Sequence, residues 1–191
     1  SFVNILGGII TKAKGGNATD TNSGDGGHGI SSDEALTIHR GNIGTAQGGT
    51  STNGTGGNGI YSDGKLTIEN STITNATGGT STNGTGGSGI RGDGSSDDFK
   101  LYIYSATIEN ATGGSGKWGG SGILGKTMEI LTSTIKKATG GRSTGKESYH
   151  TGGAGISSYG GLTIKGGTTV QAVGGDADSG TGGSGIRSGS D

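Results

Sequence analysis

Three aspartates have the spacing most suggestive of chemistry. Asp33, Asp63 and Asp93 follow one another at intervals of 30 residues. In a stacked repeat protein, residues one period apart lie about one strand spacing apart. Stacked carboxylates repel each other unless a cation lies between them, and carboxylate oxygens are ligands that Ca²⁺ prefers. The pattern suggests a Ca²⁺ site as the one cofactor to consider, whereas the simpler and favoured interpretation is that Asp-Gly at 63–64 and 93–94 forms turns.

Three aromatic side chains suggest contact with sugars. Trp118, Tyr149 and His150 fall in segments of variable length between the repeated motifs, among Gly, Ser and Thr. An exposed ring beside small polar residues can stack on the face of a sugar. We therefore predict that these three residues bind a polysaccharide, and the alternative is that Trp118 only covers a short loop.

Catalytic residues are not indicated. The outward positions of one predicted strand hold His39, Glu69, Tyr104, Leu131 and Lys165, which is a mixed set. No two acids fall at positions that would set them as the acid and base of a glycosidase. We expect no enzymatic activity, and a polysaccharide lyase or hydrolase remains the disfavoured alternative.

A tripeptide typical of integrin ligands occurs at Arg91-Gly92-Asp93. The corresponding positions of the two preceding repeats hold Ser-Ser-Asp and Tyr-Ser-Asp. Because the tripeptide occupies an ordinary repeat position in a glycine-rich chain, we interpret it as a coincidence.

A sixfold repeat places all these residues. Each repeat has an apolar residue, an Ile two positions later, an Ile or Val at about seven, an Ala at about ten, and a closing Gly-x-Gly-Ile. These positions hold 17 of the 18 isoleucines, which a disordered linker would not do. The predicted core ladder consists of Ile38, Ile68, Ile103, Ile130 and Ile164 together with Ile30, Ile60, Ile90, Ile123, Ile156 and Ile186.

The repeat predicts a right-handed parallel β-helix of about six coils of 27–35 residues, with three short strands per coil. Leu-Thr-Ile alternates between inside and outside, as a half-buried strand does, and β-branched residues favour sheet. Coils that cannot close a core alone stack on one another, and parallel crossovers are right-handed. We expect residues 1–191 to form one solenoid domain, either a fragment or one subunit of a longer stack. In this domain the Gly pairs let the backbone of the rim loops turn out and back where a Cβ would clash.

Composition excludes several classes of protein. The chain of 191 residues has 49 Gly, no Pro, no Cys and a net charge of −1. A nucleic-acid-binding protein would have an excess of basic residues, and this sequence has none. A membrane-spanning helix needs roughly 18 consecutive apolar residues, and the sequence contains no such run. We therefore expect neither nucleic-acid binding nor membrane insertion.

The repeat unit resembles those of bacterial secreted and cell-surface β-helix proteins. The resemblance rests on Gly-Asn-Gly-Ile at 57–60, Leu-Thr-Ile at 66–68 and Ala-Thr-Gly-Gly at 76–79, and it covers nearly the whole chain. Similar repeats occur in carbohydrate-binding-domain β-helices and adhesins, and more distantly in chlamydial polymorphic membrane autotransporters. The resemblance implies an extracellular or cell-surface scaffold whose rim loops serve adhesion or bind cell-surface, plant or host polysaccharide.

End-to-end stacking of copies is the alternative function. The step from Ile186 to Val3 of a second copy would be eight residues, which lies within the range of 5 to 11 seen between the repeats. A head-to-tail contact of this kind does not close and produces a filament. The sequence is therefore also compatible with a self-assembling surface fibre.

Overall fold

The structure, a computed structural model, describes residues 1–19, 23–93, 100–166 and 169–189. This part of the chain is an all-β parallel solenoid of about 5 turns of roughly 33 residues, with three strands per turn and no helix. The strands are β1 (Val3–Leu6), β2 (Ile9–Lys14), β3 (Ile30–Ser32), β4 (Leu36–His39), β5 (Asn42–Gln47), β6 (Ile60–Ser62), β7 (Leu66–Glu69), β8 (Thr72–Thr77), β9 (Ile90–Gly92), β10 (Lys100–Tyr104), β11 (Thr107–Thr112), β12 (Ile123–Gly125), β13 (Thr127–Leu131), β14 (Thr134–Thr139), β15 (Ile156–Ser158), β16 (Leu162–Lys165), β17 (Thr169–Val173) and β18 (Ile186–Ser188).

Each strand pairs in parallel with the strand at the same position in the next repeat, so the chain forms three sheets. The first sheet has the order β1-β4-β7-β10-β13-β16, the second β2-β5-β8-β11-β14-β17 and the third β3-β6-β9-β12-β15-β18. Equivalent residues of successive repeats are register partners, as in Ile38↔Ile68 and Ile60↔Ile90. The predicted parallel solenoid with three strands per coil is thus confirmed. Its six stacked levels are separated by five steps, which gives about 5 turns.

Isoleucine columns fill the interior. Ile38, Ile68, Ile103 and Ile130 of the first sheet are fully buried. In the third sheet, Ile60, Ile90, Ile123 and Ile156 are also fully buried. Ladder residues on the outer levels are less covered: Ile164 is partly buried, and Ile186 is 49% exposed. Ile30, on the other edge strand of the third sheet, is 8% exposed. Each coil covers its neighbour, so the ladder positions that have a coil on both sides are fully buried.

Two columns of glycine pack against each other at one corner of the cross-section. Their backbones form a continuous zigzag in which the N–H of each glycine after Gly16 donates to a carbonyl of the other column, with every bond 2.7–2.9 Å. We call this feature the glycine zigzag; its members are Gly16, Gly27, Gly49, Gly57, Gly79, Gly87, Gly114, Gly120, Gly141, Gly153, Gly175 and Gly183.

The glycine zigzag explains why the Gly pairs need glycine. A Cβ added to Gly79 or Gly114 would lie 1.9–2.0 Å from a carbonyl oxygen of the neighbouring coil. Positive φ among the described glycines occurs only at Gly7, Gly8, Gly166 and Gly189, outside the zigzag. The clash of a Cβ that the sequence predicts at the Gly pairs is thus present, and its cause is close backbone packing between coils.

Candidate functional site

An axial groove runs beside the third sheet. The outward side chains of its short strands form a row, because the register aligns Ser31, Tyr61, Arg91, Leu124, Ser157 and Arg187. A parallel column of backbone hydrogen bonds through Thr55, Thr85, Trp118, Thr151 and Thr181 lies on the other side of the glycine zigzag. The groove between the row and the column follows the stacking direction of the coils.

The groove has two sections that meet at Arg91. The arginine section, about 290 Å³, is lined among others by Thr85, Arg91, Leu124, Tyr159 and Arg187. The histidine section, about 310 Å³, is lined by Asp25, Gly26, His28, Thr55, Gly56, Asn58, Tyr61 and Arg91. Zigzag glycines line the arginine section, so its floor presents peptide groups instead of side chains.

His28 is held as a neutral hydrogen-bonding group in the histidine section. The backbone N–H of Asn58 donates to His28 Nδ1 at 2.9 Å, and the imidazole packs on the Tyr61 ring with centroids 4.3 Å apart. Burial and the nearby Arg91 charge lower the pKa of His28 from 6.5, while Asp25 opposes this shift. Because Nδ1 accepts a hydrogen bond, the neutral ring carries its proton on Nε2.

Tyr61 is kept protonated by its surroundings. Its hydroxyl donates to Asp63 Oδ1 at 3.1 Å. Burial and the charge of Asp63 raise the pKa of Tyr61 to about 12. The phenol therefore remains a hydrogen-bond donor and an apolar ring surface at neutral pH.

Two arginines define the other section. Arg91 Nη2 is 2.5 Å from Asp93 Oδ2, and both side chains are 29% exposed. Arg91 Nε is buried and has no hydrogen-bond partner in the part of the chain that the structure describes. Arg187 Nη2 contacts Ser157 Oγ at 3.5 Å. The arginine section thus places planar, multiply donating cations against a wall of hydroxyls and peptide groups.

The three predicted sugar-contacting residues form one aromatic cluster. The Trp118 and His150 rings meet edge to face with centroids 4.6 Å apart, and Tyr149 lies 4.5 Å from His150 and 6.4 Å from Trp118. Trp118 is 37% exposed, Tyr149 is 65% exposed and His150 is buried. Trp118 and Tyr149 therefore offer accessible ring surface, with the imidazole as support underneath.

Local hydrogen bonds and a glycine fix this cluster beside the groove. His150 Nδ1 accepts the N–H of Glu147 at 3.1 Å, and the His150 N–H donates to the Glu147 carbonyl at 3.1 Å. A Cβ on Gly145 would come within 2.2 Å of His150 Nδ1, so only glycine fits there. Trp118 pairs with Thr85 in an isolated parallel bridge, and Thr85 lines the arginine section.

The three predicted metal-binding aspartates have separate environments. Asp33 is exposed, Asp63 accepts the Tyr61 hydroxyl and Asp93 pairs with Arg91. Among the residues that the structure describes, no group of three or more His, Cys, Asp or Glu side chains is arranged to hold a metal ion. The Ca²⁺ site thus stays a prediction without a ligand cluster. In the integrin-type tripeptide Arg91-Gly92-Asp93, the two charged side chains thus form an ion pair with each other.

Outward residues of the first sheet form polar ladders. His39 Nδ1 lies 3.2 Å from Glu69 Oε2, and the Tyr104 hydroxyl donates to Glu129 Oε2 at 3.1 Å. Burial and Glu129 raise the pKa of Tyr104 to about 12. None of these side chains lines either section of the groove, so their contacts join adjacent coils along an open sheet face.

Sequence reasoning missed the groove residues His28, Tyr61, Arg91, Tyr159 and Arg187 as a site. For Tyr61, Arg91 and Arg187 the available signal was the position directly after each Gly-x-Gly-Ile motif. This position varies among Ser, Tyr, Arg and Leu, whereas the residue before it is always Ile and the residue after it is always Ser or Gly. Variable residues at a fixed outward position of a rigid scaffold mark the surface that contacts a ligand.

Comparison of the chain with protein-family models, curated proteins and solved structures gave no match. The fold therefore rests on the strand pairing described above. Within the described ranges, no helix is long and apolar enough to cross a membrane.

Proposed function

We propose that this chain is a non-enzymatic polysaccharide-binding module that holds a glycan chain along the axial groove and against the aromatic cluster. The observation that carries the proposal is the joining of the two groove sections at Arg91. The exposed Trp118 ring adds to it, because Trp118 pairs through its backbone with the groove-lining residue Thr85. An open groove that extends along a solenoid suits an extended polymer better than a compact small molecule.

The chemistry of the lining supports a sugar ligand. Carbohydrates present hydroxyl groups around apolar ring faces, so they need both hydrogen-bonding groups and flat apolar surfaces. The groove supplies hydroxyls from Thr85 and Thr151, peptide groups from its glycine floor, and ring surface from Tyr61 and Tyr159. Trp118 and Tyr149 add a second apolar platform at its edge.

The proposed location is extracellular or on a bacterial cell surface, as the resemblance of the repeats implies. Glycans of the cell surface, a plant or a host are the proposed partners. In this setting the parallel stack serves as a stiff scaffold that presents the groove and the aromatic cluster.

Affinity electrophoresis of the purified chain in gels that contain neutral and acidic polysaccharides tests this proposal. We expect at least one polysaccharide to retard the chain. Trp118→Ala should raise the dissociation constant for that polysaccharide by about tenfold, because the ring surface is lost. Tyr102→Ala is the matched control, since Tyr102 lies on the first sheet away from the groove. Unretarded migration in every gel, or equal retardation of Trp118→Ala and the unmodified chain, refutes the proposed site.

End-to-end association is the second candidate, and the exposed apolar residues on the outer levels favour it. Leu6 and Ile9 are 72% and 76% exposed at one end, and Val173 and Ile186 are 41% and 49% exposed at the other. The strands β1–β3 and β16–β18 are the edges of their sheets and can accept a further parallel strand. Sedimentation velocity at rising concentration tests this: we expect growing oligomers that Ile9→Lys suppresses, whereas a concentration-independent monomer refutes it.

A further inference from the structure

We propose that the axial groove selects an acidic polysaccharide, whose repeated acidic groups contact Arg91 and Arg187. This inference rests on the proposed function, since it names the class of polysaccharide that the same groove binds. The charge distribution, the geometry of the two arginines and the position of Asp93 each support it.

The arginine section is locally cationic. Its described lining contains Arg91 and Arg187, together with Thr, Ser, Gly, Leu, Ala and Tyr, and includes no carboxylate. The chain as a whole has a net charge of −1, so the two cations do not reflect a general basic excess. A polymer that carries carboxylate or sulfate groups is the polysaccharide whose charge complements this lining.

The separation of the two arginines calls for a polymer. Arg91 lies on β9 and Arg187 on β18, three steps apart in the third sheet, so their backbones are about 14 Å apart at the usual strand spacing. A chain with acidic groups along its length can contact both arginines across this separation. Arginine also suits this role because its fork of N–H donors matches a carboxylate or sulfate group.

Asp93 orients Arg91 and at the same time competes with a ligand. Its carboxylate holds Nη2 at 2.5 Å, and Asp93 does not line either groove section. Removing the charge of Asp93 while keeping a hydrogen-bonding amide should therefore strengthen the attraction of an anion to Arg91. Asp25 lines the histidine section, so the acidic groups of the ligand should favour the arginine section.

The test compares two polymers with the same sugar backbone, polygalacturonate and its fully methyl-esterified form, in which every carboxylate is a neutral methyl ester. Each polymer is titrated into the purified chain by calorimetry. We expect polygalacturonate to bind at least tenfold more tightly than the ester, with a preference that shrinks as salt is raised. Arg91→Gln and Arg187→Gln should each weaken polygalacturonate binding by about tenfold and weaken binding of the ester clearly less, because only the acidic polymer loses a charge partner. Galacturonate oligomers should bind more tightly with length until they reach both arginines.

Two further variants sharpen the test. Lys137→Gln removes the same charge from an exposed position on the second sheet, and it should change neither affinity. Asp93→Asn should tighten polygalacturonate binding several-fold, a gain that a misfolded variant would not produce. Circular dichroism of each variant verifies that the fold is retained.

The outcomes separate this inference from the proposed function. Equal affinity for the two polymers, or polygalacturonate affinity that neither glutamine variant lowers, overturns the acidic preference while polysaccharide binding stands. Tight binding of only the ester or of neutral glycans overturns it as well. No binding to any charged or neutral polysaccharide overturns the proposed function together with this inference.

Discussion

Substitution of a single zigzag glycine should destabilise the whole stack. Gly114 donates its N–H to Gly87 at 2.7 Å, and its carbonyl accepts the N–H of Gly120 at 2.9 Å. An added Cβ would lie 2.0 Å from the Gly79 oxygen, so Gly114→Ala must move the backbones apart by more than 1 Å to reach ordinary contact. Both hydrogen bonds are then lost or strained in a buried site, at a cost of about 2–5 kcal/mol.

The same substitution at Gly16 is the control, because Gly16 belongs to the same column but has no atom within 4 Å of an added Cβ. Gly16→Ala should leave the free energy of unfolding unchanged or raise it by about 0.4–1 kcal/mol, since alanine restricts the unfolded chain. Urea unfolding followed by circular dichroism measures both variants. If Gly114→Ala costs no more than Gly16→Ala, the close packing of the two glycine columns is refuted.

Three other perturbations have expected outcomes. Ile68→Ala should lower the free energy of unfolding by about 2–5 kcal/mol and Ile186→Ala by clearly less, because only Ile68 is covered on both sides; equal losses in urea unfolding would contradict the ladder. Asp63→Asn should lower the pKa of Tyr61 from about 12 towards 10.0, followed by phenolate absorbance, since the carboxylate no longer favours the protonated phenol; an unchanged titration would contradict that contact. As the pH falls from 6.5 through the lowered pKa of His28, this histidine becomes protonated in the unfolded chain before it does in the folded chain, so the free energy of unfolding should fall. His28→Asn should abolish this dependence of the free energy of unfolding on pH, as measured by urea unfolding.

The fold was predictable because the apolar residues are few and regularly placed. Each inward position, such as Leu36 or Ile38, pairs with its equivalent in the next repeat. The repeat period in the sequence therefore predicts the register of the strands. Strand identity followed from alternation, since Thr37 and Thr67 face out between buried neighbours.

The glycine zigzag was harder to predict from the sequence. A Gly pair is compatible with a turn, with a flexible loop and with close backbone packing, and composition does not distinguish these. The distinction depends on which glycines of one coil lie against those of the next, as Gly79 lies against Gly49 and Gly57. The variable loop lengths between the Gly pairs hid this alignment, since the spacing from one glycine column to the other differs from coil to coil.

The groove was missed for a related reason. Trp118, Tyr149 and His150 were found by residue type, and the structure brings them into contact. Arg91 and Arg187 belong to the same site row but are 96 positions apart in the chain, and each alone looks like an ordinary surface arginine. Only the strand register shows that they face one groove.

The glycine floor also limits where ligand specificity can change. Gly120, Gly153 and Gly183 line the arginine section and belong to the glycine zigzag, so a side chain there would fill the groove and separate the coils together. The outward row has no such constraint, because its residues point away from the core. Exchange of Arg187, which is half-buried on the outermost level, for another polar residue should therefore alter which glycan binds at little cost in stability. A charge at Leu124 would be costly, because that side chain is only 6% exposed. The glycine floor is therefore the fixed part of the proposed groove, and the partly exposed side chains of the outward row are the part in which we expect its specificity to change.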